Sequence, residues 1–350
     1  MVTIADVARH AGVAPSTVSY VLTGRRSISA RTRSRVTESI RLLGYRPHAG
    51  RRALSTSRTN VVALVLPLRR GAYLPVLMRF VTAAIVEARR HELDVLVVTA
   101  DQGAQGLRRV AGSAQVDGFL VMDVELDDER VPLLRQLAQP SVLIGHPATT
   151  NGLTCVDLDF EAAAARCVDH LADLGHRYIG FLGAPSVVYQ RNTGYAQRTM
   201  AGFGAAAMRR GIASTALPAE DDYESVLICT RALLRAQPAM TALVVHNEAA
   251  LGWVASSLRA LGRRVPEDVA VVAICPDELA EQLFLTSVRL PAEELARQAV
   301  DLLVAKVNGL PTPPLTLLPP KLRTRASTAP GPAFTGGGSA AMAGSPARAI

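Results

Sequence analysis

Apolar residues recur with two different periods along this chain, and the change of period near residue 61 divides it. Ile4, Val7, Ala8 and Ala11 stand at the i, i+3, i+4, i+7 spacing of one buried helix face, with Thr3 as N-cap and Gly12 closing the helix. A second short helix is predicted after Ala14, with Pro15 at its first position, Val18, Val21 and Leu22 as its inner face, and Gly24 at its end. A third runs from Ser29 as N-cap through Val36, Ile40 and Leu43 to Gly44, placed where a left-handed residue follows a helix. Two short helices joined through Gly12 and Val13 and braced by a third make a helix-turn-helix, whose second helix fits a DNA major groove.

From Val61 onward, short apolar runs alternate with amphipathic stretches. Strands are predicted at VVALVLP from 61, DVLVVTA from 94, DGFLVM from 117, SVLIG from 141, YIGFLG from 178, ALVVH from 242 and VAVVAI from 269. Helices fill the gaps, for example Leu74 to Glu92, Glu161 to Leu174 and Ala292 to Asn308. This alternation predicts α/β architecture, with parallel sheets covered on both faces and ligands bound beyond the carboxyl ends of the strands. Residues 329–350, rich in Gly, Ala, Pro and Ser without periodicity, are predicted to be a disordered tail.

Composition narrows the class. A chain of 350 residues accommodates two or three units with cores of their own. No apolar run approaches the roughly 20 residues of a membrane-spanning helix. The first ten residues carry Asp6 and lack the basic-then-apolar order of a secretory leader, so a cytoplasmic location and no membrane partner are expected. Cys155, Cys167, Cys229 and Cys275 show no CxxC spacing and read as buried free thiols, with no metal site and no redox pair.

Charge is the most telling bulk property. Residues 1–60 hold eleven arginines against Asp6 and Glu38, a local balance of +9, so the remainder of a chain of net charge +8 sums to −1. Basicity gathered at one end marks a segment that meets a polyanion. GxxxxGKS, GxSxG, HExxH and a GxGxxG after a strand are all missing, which argues against an enzyme and leaves no catalytic or cofactor residue to assign. A solute-binding protein of a transport system would share the sheet architecture, but it requires export and has no use for a basic helix-turn-helix.

The run TIADVARHAGVAPSTVSYVLTG, the TR of RTRSRV and LGYRPHAGRRAL together resemble the lactose/galactose repressor (LacI/GalR) family of bacterial regulators. GHRYIGFLGAP, ALGRRVPEDVAVVAI and PKLRTRAST extend the resemblance to about Thr328. It implies that Pro15, Ser16 and Tyr20 face base edges, that Thr17 and Ser19 contact phosphates, and that Arg26 adds a basic contact past the helix. Pro15 offers only apolar contact and Ser16 suits several bases, so Tyr20 either carries much of the direct readout or packs on the phosphate backbone. The stretch from Pro47 to Leu54 resembles the family's hinge helix. Leu54 then wedges into the minor groove or packs across a dimer, and Arg51 and Arg52 meet phosphates. His48 and Gly50 depart from the pattern, and glycine costs about 1 kcal/mol of helix stability.

For the remainder, the resemblance implies two Rossmann-like subdomains of the periplasmic-binding-protein kind. They are joined by three crossovers, with a small-molecule effector, a sugar by resemblance, clamped between them. The chain after Pro291 is expected to return to the first subdomain. Effector candidates are Tyr73, Arg198, Asn247, Glu248 and Asp277. Arg198 stands one step from the family's effector arginine, a place held here by Thr199, and Asn247 takes the place of a usual Asp. His146 of Gly145-His146 occupies a place where an acid is common and reads as a surface histidine. The expected organisation is a helix-turn-helix domain over 1–46, a hinge and linker over 47–60, an effector-binding and dimerisation domain over 61–328 and the tail. The expected function is a ligand-responsive repressor that binds a pseudo-palindromic double-stranded DNA operator as a homodimer.

Overall fold

In the computed structural model the amino-terminal helices are α1 (Ile4–Ala11), α2 (Pro15–Thr23) and α3 (Ala30–Leu43). The description covers residues 2–23, 26–45, 58–66, 68–69, 72–99, 103–150 and 152–332. Gly24, Arg51, Arg52 and Leu54, with the hinge from Pro47 and the tail beyond residue 332, lie outside the described residues.

Local chemistry starts and stops the first helix as its sequence suggests. The Thr3 hydroxyl accepts from the Asp6 amide at 3.3 Å while the Asp6 carboxylate accepts from the Thr3 amide at 2.9 Å, a reciprocal capping box. Gly12 follows at φ 60°, and a Cβ there would lie 2.8 Å from Nη2 of Arg35. That guanidinium, reaching over from α3, donates to the carbonyls of Ala11 and Gly12 and so fixes the turn. Ser29 caps α3 and Gly44 ends it at φ 60°. Val7, Ala8, Ala11, Val18, Val36 and Tyr45 are buried between the three helices. Leu22 departs from the expected inner face: it is 40% exposed, because Val18 and Val21 already fill the short contact that α2 makes.

Beyond residue 58 the chain forms two sheets. The first holds β1 (Val61–Val65), β2 (Asp94–Val98), β3 (Gly118–Val121), β4 (Ser141–Ile144), β5 (Thr154–Leu158) and β11 (Leu315–Leu318), ordered β11-β5-β4-β3-β1-β2 and parallel throughout. The second holds β6 (Tyr178–Gly183), β7 (Ala213–Pro218), β8 (Ala242–Val245), β9 (Ala270–Cys275), β10 (Thr286–Arg289) and β12 (Leu322–Arg323), ordered β12-β10-β9-β8-β6-β7. Only the short β12 runs antiparallel there. The two lobes are wound alike, and each reverses its strand order beside its first strand, where open α/β sheets form their crevices.

Helices cover both faces, so central strands such as β3, β4 and β8 are buried along their whole length. In the first lobe these include α4 (Leu74–Arg90), α5 (Gly103–Gly112) and the short α6 (Val131–Leu134). Between and within the lobes lie α7 (Phe160–Asp173), α8 (Ser186–Gln190), α9 (Gly194–Arg209), α10 (Tyr223–Ala236), α11 (Leu251–Ala260) and α12 (Asp277–Gln282).

The chain crosses between lobes three times: after β5, at Leu290 and Pro291, and between β11 and β12. After the second crossing α13 (Ala292–Val307) packs on α4 and on the first sheet, the return expected from the sequence. Arg58, the first described residue after the hinge stretch, donates to the Asn308 side chain and to the Val307 carbonyl, both at 2.9 Å, at the far end of α13. Thr59 and Asn60 are held by Asp117. The beginning of the expected tail is seated rather than loose: the Gly331 amide donates to the Leu174 carbonyl at 2.7 Å, and His176 bonds the Ala329 carbonyl.

Candidate functional site

Two surfaces carry chemistry. On the amino-terminal unit, Pro15 and Ser16 are exposed at the start of α2, while Thr17, Ser19 and Tyr20 are partly buried along it. The Arg26 guanidinium carbon lies 5.9 Å from the centroid of the Tyr20 ring, a cation–π approach that holds both side chains near one end of the helix. The arginine and the tyrosine are thereby presented together, with Ser16 one helical turn away.

The second surface is a cavity of about 150 Å³ between the lobes, at the carboxyl ends of strands from both sheets. Tyr73 and the first turns of α4 line one side; Asp123 after β3, Gly145 after β4 and Asp157 on β5 line the floor of the first lobe. The second lobe contributes Arg191, Tyr195, His246 and Glu248, and the crossing segment contributes Leu290 and Leu295. Phe160, Tyr195 and His246 form a ring cluster with centroids 5.6 to 5.7 Å apart, the Tyr195–His246 pair edge to face. Such a cluster offers an apolar wall to one face of a small ring.

Polar groups in the cavity are only half used. Asp157 is 3% exposed; one carboxylate oxygen accepts from the Leu158 amide at 2.9 Å, and the other is buried without a partner. Burial pushes its pKa up to about 7, against the field of Arg198. Burial likewise raises Glu248 to about 7 and holds His246 down to about 3, with Nδ1 of His246 unpartnered. Nε of Arg191 is also buried and unpartnered. Asp157, Arg191 and His246, which carry these unpartnered atoms, all line the cavity.

Arg191 also joins the lobes. It contacts the Asp123 carboxylate at 2.6 Å and Glu125 at 3.7 Å, and Glu125 in turn pairs with Arg69 at 2.6 Å. Backbone bonds reinforce this strap: the Gly194 amide donates to the Val124 carbonyl and the Leu126 amide to the Asn192 carbonyl, each at 2.9 Å, around an antiparallel bridge of Glu125 with Thr193.

Of the residues singled out from sequence, the structure brings Tyr73, Glu248 and Gly145 to the cavity wall. Arg198 is not among the cavity-lining residues: it donates to the carbonyls of His146 and Pro147 at 2.8 and 3.1 Å, pinning the loop after β4 to α9, close enough for its charge to act on Asp157. Asn247 spends its amide on the Ala219 carbonyl and the Ala249 amide. Asp277 lies outside the cavity within reach of Arg289, Arg323 and Arg325. Thr199, at the family's arginine position, is buried with its hydroxyl on the Tyr195 carbonyl. The cavity arginine comes instead from residue 191, which sequence reasoning missed along with Asp123, Asp157, Tyr195 and His246.

Residues 3–48 match the family model of bacterial regulatory proteins, lacI family, and residues 168–328 match the periplasmic binding protein-like domain. The chain is 31% identical over 330 residues to the HTH-type transcriptional regulator CelR of Thermobifida fusca, with 90% of this chain and 95% of that protein covered. It is 29% identical over 322 residues to catabolite control protein A of Priestia megaterium, covering 88% and 93%. Among solved structures, the CelR–cellobiose complex aligns with a TM-score of 0.66 at 28% identity, over 93% of this chain and 100% of that one. The lac repressor dimer bound to operator and the anti-inducer ONPF aligns at 0.80 with 22% identity, over 94% and 99%, a likeness of fold. Among the described residues, no helix is long and apolar enough to cross a membrane.

Proposed function

The chain belongs to the lacI family of bacterial regulatory proteins, and from that premise we propose that it is a ligand-responsive repressor. It binds a pseudo-palindromic operator as a homodimer, in the cytoplasm, with an affinity set by a small molecule held between its two lobes. One observation carries this reading: a cavity walled by both lobes, with buried unpartnered atoms on Asp157, Arg191 and His246, lies in the same chain as a basic three-helix unit.

In this reading Pro15, Ser16 and Tyr20 meet base edges, and Thr17, Ser19 and Arg26 meet phosphates. Arg51, Arg52 and Leu54 act where the hinge crosses the minor groove. The boundaries near 46 and 60 separate these tasks from ligand binding. Tyr73, Arg191, Asp157, His246 and Glu248 hold the effector, whose ring packs on Phe160 and Tyr195. Hydroxyl-rich small rings suit this wall of aromatic faces and polar edges. CelR, named with cellobiose, is a relative whose ligand belongs to the same chemical class.

An apolar face of α4 supports the dimer: Leu74, Met78, Ile85 and Val86 are 44 to 55% exposed, next to Leu96 and Val97 on the open edge of β2. An unpartnered stripe of this kind is what a second copy covers.

The test is a selection of binding sites from random duplex DNA with the full chain, followed by titration of the selected site in the presence of single sugars. Recovery of two half-sites related by a two-fold axis is expected, with one sugar shifting the affinity roughly 5- to 150-fold. Equal affinity for every duplex, unaffected by any sugar, would overturn the reading.

A further inference from the structure

Away from the cavity, a histidine and two carboxylates meet at the seam between α4 and α13. His91 caps α4 at its carboxyl end, and Glu87 stands one turn before it on the same face. Asp301 reaches them from α13. One ligand atom from each lies within 4.8 Å of the other two. Nε2 of His91 is 2.9 Å from one Asp301 oxygen and 3.8 Å from one Glu87 oxygen.

We propose that Glu87, His91 and Asp301 bind a first-row divalent cation of the zinc class. Zinc–nitrogen and zinc–oxygen bonds of about 2.0 to 2.2 Å in a tetrahedron put ligand atoms roughly 3.3 Å apart, between the two separations found. Each carboxylate is already oriented from its far side: Arg90 holds the other Glu87 oxygen and Arg297 the other Asp301 oxygen, both at 3.1 Å. The inner oxygens are thereby turned toward the imidazole, the service that outer partners perform at metal centres. The donor set is two carboxylates and one imidazole, with the carboxylate charge shared with Arg90 and Arg297, and a fourth position opens to water, since the His91 and Asp301 side chains are 31% and 42% exposed. One imidazole with two carboxylates suits Zn²⁺, Co²⁺ or Ni²⁺, whereas Ca²⁺ and Mg²⁺ demand more oxygens. On binding, the cation takes the Nε2 lone pair of a neutral imidazole whose one proton sits on Nδ1, and an imidazolium would first release one proton to solvent.

Position gives the site a use. Asp301 lies midway along a helix whose first turns line the cavity through Leu295 and whose end holds Arg58. A cation there ties that helix to α4 independently of any cavity ligand.

The experiment titrates Co²⁺ into the untagged, full-length protein and follows its visible d–d absorption, then displaces it with Zn²⁺. One saturable equivalent per chain is expected, with a rise in Tm. His91→Ala and Asp301→Asn should each weaken binding by at least about 10-fold, while His10→Ala leaves it unchanged. Both substituted side chains are partly exposed, and an unchanged far-ultraviolet spectrum verifies folding. Absence of saturable uptake at millimolar Co²⁺, or uptake equal in all three variants, overturns the site. Neither result depends on a sugar being found.

Discussion

Asp157, one residue before the end of β5, carries a carboxyl group whose protonated form burial favours. Its pKa rises from 3.8 unfolded to about 7 folded, so the folded state holds the extra proton between those values and loses stability as pH climbs through them. Asp157→Asn removes that loss. Its Tm should match the parent near pH 4 and exceed it most at pH 8, by up to about 4 kcal/mol in stability. His246 has the opposite slope, since a neutral imidazole held to about 3 costs stability as pH falls below its ordinary value. The parent curve therefore mixes both, and the difference between variant and parent across pH is the quantity to measure. A flat difference from pH 4 to 8 would mean that Asp157 is ionised in the fold.

Arg191 shows why residues such as these escape a reading of sequence. Its neighbours Asp123 and Glu125 are some seventy positions away in sequence and on the other lobe. No local period marks such a meeting. Arg198 was the visible arginine because it stands one step from the family's arginine place, but its position on α9 delivers it to two carbonyls. For Glu248 the neighbourhood was legible in HNE, although His246 rather than Asn247 faces inward beside it. Arg191→Met should weaken binding of an identified sugar by roughly 10- to 150-fold, the worth of a charged hydrogen bond of about 1.5 to 3 kcal/mol. Calorimetric titration measures it, and an unchanged Kd removes the residue from the site.

At the scale of elements, close approach decides what is tolerated. Gly202 on α9 lies so near α7 that a Cβ would sit 2.3 Å from the Glu161 carbonyl oxygen and 2.6 Å from its Cα. Gly202→Ala must push two packed helices apart and should cost about 1 to 3 kcal/mol, read as a lowered denaturant midpoint. A midpoint within error of the parent would show that the helices yield freely. Caps and turns at Thr3, Gly12, Ser29 and Gly44 were readable because a single side chain or dihedral performs each task locally. The strongly apolar strands β1, β3, β4, β6, β8 and β9 were readable for a similar reason. β5, β7 and β10 were not, since Asp157, Ser214, Thr215 and Thr286 interrupt their apolar runs and find their surroundings only in the assembled sheets. Leu22 was misplaced because periodicity assigns a face without saying how wide the contact is.

At the scale of the molecule, the apolar stripe of α4 predicts that Val86→Glu, 54% exposed in one chain, yields a folded monomer with weakened operator binding. Light scattering together with a gel shift tests this, and a variant that remains dimeric would move the interface elsewhere. The positive charge of the first sixty residues predicts a steep loss of DNA affinity with salt, whatever the effector.

The 16 residues of α13 span about 24 Å. Leu295 near one end faces the space where a sugar would lie, and Val307 at the other grips the arginine from which the DNA-reading arm departs. On the proposed function, a stiff rod seated at both ends would convert a small tilt at the ligand into a sideways step at the arm. News of the sugar then needs no long relay of side chains, only a lever that the chain lays down after leaving one lobe for the other.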